Sequence, residues 1–203
     1  MAMTEVLFNP SGFFERLAQR EARIWPAYAV YLLAVLLSAL GSQLAVRSLP
    51  SPLTIGNPWI WAVVGSLVAA LAMWGIFGFL VMLASGTGAR AFEVVGWAAA
   101  PGVVTGLLLL AAGAVFPVQE VVPPAPSDPA QLGEWMKAYQ AVVQSGVFTQ
   151  VSRALGLVML IWSAWIVYAG VGVFARSRAA LAAGVYLVLQ LGMYFLGSVR
   201  LGG

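Results

Sequence analysis

Few side chains in this 203-residue sequence could carry chemistry, and their spacing is the first clue. Arg90 and Glu93 stand three residues apart, so on a helix they share a face and can pair. Trp97 follows one turn later and Pro101 one turn after that. A proline at this position removes the hydrogen bond to the Trp97 carbonyl and kinks a helix, leaving an acceptor that hydrocarbon cannot satisfy. Far along the chain, Gln190 is the single strongly polar side chain deep in a late apolar stretch, so it belongs in a protein interior. A polar pair, a kink and a buried amide together suit a hinge or the wall of a binding cavity. Each also has a plainer reading: a surface ion pair, a packing kink and interhelical glue.

Other chemistries are excluded by what is missing. The chain has no Cys and no His, which removes disulfides, thiolate metal sites, Cys or His nucleophiles and imidazole proton relays. Glu93 and Glu120 stand at opposite ends of one apolar stretch, about 40 Å apart by helical rise, too far for an acid/base pair. Isolated carboxylates offer no metal cluster. Gly86 and Gly88 lack the preceding strand, the longer glycine pattern and the lysine of a phosphate loop, and read as a turn. The expectation is a protein that is not an enzyme, with no cofactor, no metal and no nucleic-acid partner.

The elements that must position these residues follow from the charges. Ten basic and seven acidic residues sit in short clusters, against 62% hydrophobic residues. The uncharged gaps from Arg23 to Arg47, Arg47 to Arg90, Glu93 to Glu120, Arg153 to Arg176 and Arg178 to Arg200 hold 23, 42, 26, 22 and 21 residues. Crossing about 30 Å of hydrocarbon takes about 20 apolar helical residues. The reading is therefore an all-α polytopic membrane protein forming one domain over 1–203, with five transmembrane helices at 24–46, 59–84, 92–116, 154–175 and 179–199. Small residues at Ala34, Ser38 and Ser42, at Ala62, Ser66, Ala70 and Gly78, and at Ala98, Gly102 and Gly106 mark faces for close helix packing. Pro50, Pro52, Gly56 and Pro58 exclude a helix between the first two spans.

Two further helices should lie at the interface. Asn9-Pro10 suits a cap and first helical position for a helix over 9–23, which has Phe13, Phe14 and Leu17 on one face and Arg16, Arg20 and Arg23 beside it. Its aromatics would insert between headgroups while its guanidinium groups hold lipid phosphate. Charges interrupt its apolar residues, so this segment is expected to stay attached rather than act as a cleaved signal. Between 117 and 153, Asp128-Pro129 caps an amphipathic helix over 128–144 that either lies flat on the outer leaflet or covers the bundle as a lid. Placing Arg16, Arg20, Arg23, Arg90, Arg176 and Arg178 on one side makes the N-terminus cytoplasmic and the C-terminus extracytoplasmic. Nine of the ten basic residues are Arg, which fits a GC-rich bacterial source and hence a bacterial cytoplasmic membrane.

Three stretches resemble the Yip-domain (YIPF) family of integral membrane proteins. Asn9-Pro10-Ser11-Gly12-Phe13-Phe14 stands where the family has its motif before the first span. Gly96-Trp97 with Pro101 resembles the Gly-Tyr and downstream Pro of the third span, and Arg176-Ser177-Arg178 joins two small-residue-rich spans. The first motif here lacks the Asp and the Gly-Pro order of eukaryotic members, and Trp97 replaces Tyr. The resemblance implies a noncatalytic membrane-organising or partner-binding protein that contacts lipid and associates with itself or another membrane protein. In eukaryotic members it implies ER and Golgi trafficking and association with Rab GTPases. The alternative from a different class is a small transporter or lipid-translocating protein, with Arg90, Glu93, Pro101 and Gln190 around a cavity.

Overall fold

The computed structural model describes residues 2–50, 57–120 and 122–198. Pro52 and Gly56 of the first turn, and Arg200 of the charge count, lie outside the described residues. The order is α1 (Ala2–Phe8), α2 (Pro10–Ala18), α3 (Ile24–Ala45), α4 (Pro58–Ser85), α5 (Ala89–Trp97), α6 (Ala100–Val115), α7 (Pro129–Ser145), α8 (Val147–Phe174) and α9 (Ala179–Ser198). A 3-10 turn at Arg176–Arg178 joins α8 to α9. Among the described residues there is no strand, and five segments are long and apolar enough to cross a membrane: α3, α4, α5 with α6, α8, and α9 with its preceding turn.

The third span is the axis of the bundle. Its most apolar window is 61% buried, against 17–33% in the other four. Burial on this scale comes with close approach of neighbouring backbones. A Cβ on Gly96 would lie 2.6 Å from the Ala27 carbonyl carbon, one on Gly106 would lie 2.8 Å from Leu37 Cβ, and one on Gly41 would lie 2.7 Å from the Leu109 carbonyl carbon. These glycines let α3 lie directly on α5 and α6, where dispersion between close-packed backbones replaces the hydrophobic drive that lipid cannot supply. Ala34 faces Gly102, so the small-residue stripes of the first and third spans pack on each other. On α4 the stripe divides: Gly78 packs under the Phe92 ring, while Ala62 and Ser66 border an open cleft.

Pro101 interrupts the third span rather than bending it smoothly. Regular α-helix stops at Trp97 and resumes at Ala100, and the Ala99 N–H turns back to the Gly96 carbonyl at 3.2 Å. At the α4–α5 turn the chain reverses through two left-handed glycines, Gly86 (φ 72°) and Gly88 (φ 59°), a region that side chains avoid. Thr87 and Ser85 tie that turn together, their hydroxyls 2.8 Å apart.

The N-terminal segment differs from a single helix lying flat on lipid. It forms two short helices, with Asn9 capping the second by accepting from the Gly12 N–H at 3.2 Å, and the second ends at Ala18 instead of reaching residue 23. Its aromatic face turns inward. Phe13 packs edge-on to Trp97 at 4.9 Å, and Phe14 is fully buried against Gly170, where a Cβ would come within 2.8 Å of its ring. Trp162 of α8 donates its indole N–H to the Leu7 carbonyl at 3.0 Å, fixing the end of α1. A Phe pocket lined by Trp97, Val94 and Gly170 is better packed than headgroups, so the helix docks on protein. At the opposite end, Asp128 caps α7 by accepting from the Ala130 N–H at 3.0 Å. The apolar face of α7 packs on Leu49, Val118 and Val122, with Trp135 donating to the Pro123 carbonyl at 2.7 Å. α8 begins at Val147, so Arg153 lies within the helix and not before it.

If backbone contact holds the axis, adding a side chain at Gly96 must push α3 away. Gly96→Val is expected to destabilise the detergent-solubilised protein by about 1–3 kcal/mol. Gly65→Ala, where nothing lies within 4 Å of a new Cβ, is expected to be neutral or stabilising. Thermal unfolding of both variants checks this.

Candidate functional site

Glu93 has 1% of its side chain exposed, at the end of the bundle that carries α1 and α2. An ionised carboxylate there requires cations and donors around it. Arg90, one turn before it on α5, donates to Glu93 Oε2 at 2.6 Å. Arg20 lies 4.0 Å from Oε1, and the Arg23 backbone N–H donates to the same oxygen at 3.4 Å. Arg90 also donates to the Arg20 carbonyl and sits over the Phe174 ring at 5.2 Å from its centre. One carboxylate thus ties the segment leaving α2, the start of α3, the start of α5 and the end of α8. Arg16 is engaged separately in an ion pair with Glu5 of α1.

Of the three arginines expected on lipid phosphate, Arg16 and Arg20 also face protein carboxylates while staying about half exposed, and Arg23 is exposed. Trp97 lies just inside this clamp, buried with its indole N–H unpartnered and its ring against Phe13.

A second feature lies deeper. A cavity of about 240 Å³ opens between α3, α4, the α5–α6 break, α8 and α9. Tyr31, Ser38, Phe77 and Gln190 line it, together with Met73, Met159 and Met193. Ala99 and Gly102, which flank Pro101, form part of its wall, so the helix break borders the empty space. Gln190 donates to the Tyr186 hydroxyl at 3.0 Å on its own helix rather than bridging two helices. Val35 and Ser38 belong both to this cavity and to an open cleft of about 470 Å³ between α3 and α4, lined also by Ser42, Gln43, Trp61 and Ser66. The cavity and the lateral groove thus adjoin at Val35 and Ser38.

Arg90 and Glu93 are together in the clamp, while Gln190 is in the cavity; the structure does not bring them to one site. Trp97 and Pro101 lie between the two. Sequence reasoning missed the three methionines, Tyr31 and Trp74, whose indole N–H donates to the Phe92 carbonyl at 3.1 Å. Methionines dispersed over three spans carry no local pattern; only packing gathers them. The same holds for Trp74, which stacks against Tyr28 at 4.9 Å from another helix.

A five-span helical bundle, with a charge clamp at one rim and a cavity at mid-depth, defines an integral membrane protein. The Yip1 domain model matches residues 4–199, nearly the whole length, and the chain belongs to that family. Comparison with curated proteins and with solved structures gives no match.

Removing one partner of a buried pair leaves the other charge uncompensated. Arg90→Met is expected to cost about 3–5 kcal/mol, and the double change Arg90→Met with Glu93→Leu to recover most of it. Unfolding measurements completing the double-mutant cycle, with hydrogen exchange at residues 19–24, check this.

Proposed function

We propose that this Yip1-domain protein acts without catalysis, as a membrane-organising or partner-binding subunit of a bacterial cytoplasmic membrane with its N-terminus on the cytoplasmic side. The observation that carries this reading is the outer face of α9. A Cβ added at Gly184 or Gly192 would meet nothing within 4 Å, and Ala180 and Val188 continue the same exposed strip at four-residue spacing. In the seam between α3, α5 and α6 the glycines are covered by neighbouring backbone; here they face outward, where another helix can approach closely. Gly65 on α4 is open in the same way. Positive charge supports the orientation, since Arg16, Arg20, Arg23, Arg90, Arg176 and Arg178 gather at the clamp end.

Crosslinking in native membranes is expected to trap a self-associated or heteromeric species. Gly184→Leu with Gly192→Leu is expected to weaken it about tenfold, as about 1.4 kcal/mol of lost helix contact would. Absence of any such species in the unaltered protein counts against the proposal.

A second reading, lipid translocation, draws on the mid-depth cavity and the lateral cleft that adjoins it at Val35 and Ser38. In proteoliposomes it predicts lipid scrambling that falls in Gln190→Leu. Equal rates in liposomes with and without the protein would exclude it.

A further inference from the structure

Of the ten charged side chains described at the clamp end, five are paired within the protein, and two of the other five share a pocket. Arg16 is held by Glu5, and Arg20 and Arg90 by Glu93. Glu15 and Arg176 make no ion pair or side-chain hydrogen bond among the described residues, yet both line one pocket of about 500 Å³ between α2 and the end of α8. Ser11 and Tyr168 add hydroxyls to the same wall, with Gly172 beside them. The pocket lies where the apolar run of α8 gives way to Arg176, the depth at which headgroups begin. Below it, Ile161, Trp165 and Tyr168 form an exposed strip along α8 at helical spacing, leading from the pocket into hydrocarbon depth.

We propose that this pocket binds the headgroup of a zwitterionic phospholipid carrying a primary ammonium, of the ethanolamine class. Arg176 takes the phosphate, Glu15 accepts hydrogen bonds from the ammonium, and the acyl chains run along the α8 strip. Two opposite charges, each without a protein partner, match a ligand that carries both. An anionic lipid would offer Glu15 nothing but repulsion, and a choline headgroup has no N–H to donate. The site is separate from the α9 face, and its failure would leave the proposed association untouched.

The test uses the full chain in nanodiscs of mixed ethanolamine, glycerol and choline phospholipids, with retained lipid identified by native mass spectrometry. The unaltered protein is expected to retain the ethanolamine lipid about tenfold over the other two, the ratio that one charge-assisted hydrogen bond supports. Glu15→Gln should abolish that preference and move it toward the glycerol lipid, because Arg176 then acts alone. Arg176→Gln should weaken retention of all three, and Arg153→Gln, at the other end of the bundle, should change nothing. Equal retention of the three lipids by the unaltered protein overturns the proposal, as does a preference that survives Glu15→Gln. If Glu15→Gln and Arg176→Gln destabilise the fold non-additively while lipid preference stays constant, the two side chains pair with each other and the assignment is wrong. Soluble glycerophosphoethanolamine added to choline-lipid nanodiscs separates the sources: retention of it at the level of the lipid would overturn the lipid assignment in favour of a free ligand.

Discussion

A carboxylate with almost no access to water must carry its own solvation, and the arrangement around Glu93 supplies it. Arg90 is supplied locally, three residues away on the same helix, but Arg20 and the Arg23 amide come from the other side of the first span. Meeting that requirement holds the N-terminal helices under the bundle, and with them Phe13 and Phe14, which seal the space around Trp97 and Gly170. Electrostatic need and apolar packing thus converge on one geometry: the charge fixes where α2 ends, and the rings fill what that placement leaves.

The opposite constraint governs the interior. Lipid offers no hydrophobic gain for bringing helices together, so contact has to come from shape. The glycines of α3, α5 and α6 supply it by letting backbones touch along one seam, while α9 is the least buried of the five spans. The break at Pro101 falls inside this seam. It places Ala99 and Gly102 against the cavity, so the space next to Gln190 exists where regular helix packing is interrupted. Pocket chemistry at the rim is different again, because Glu15 and Arg176 face an opening that protein does not fill.

Much of this was legible in the sequence because it depends on short-range chemistry. The Arg90–Glu93 pair follows from helical periodicity, the caps at Asn9 and Asp128 from the side chains that can accept from early amides, and the interruption at Pro101 from a missing N–H. The small stripes of the first and third spans were legible as close-packing faces, but which faces would meet was not. The aromatic face at Phe13 and Phe14 was equally visible, but its destination was not. An amphipathic helix exposes the same pattern whether its apolar side meets lipid or protein, and only the presence of a matching hollow at Gly170 decides between them.

The sequence by itself determined the class of the protein, its five apolar helices and the confinement of formal charge to their ends, because each is set by the cost of placing a charge or an unpaired backbone group in hydrocarbon. The tertiary structure alone decided that Arg20 joins the Arg90–Glu93 pair and that Arg16 turns to Glu5. It also decided which methionines meet around Gln190, and that Glu15 and Arg176 share an opening. Those pairings join residues up to about 160 positions apart. They depend on how the helices cross, a property of the whole packed surface that no local run of residues encodes.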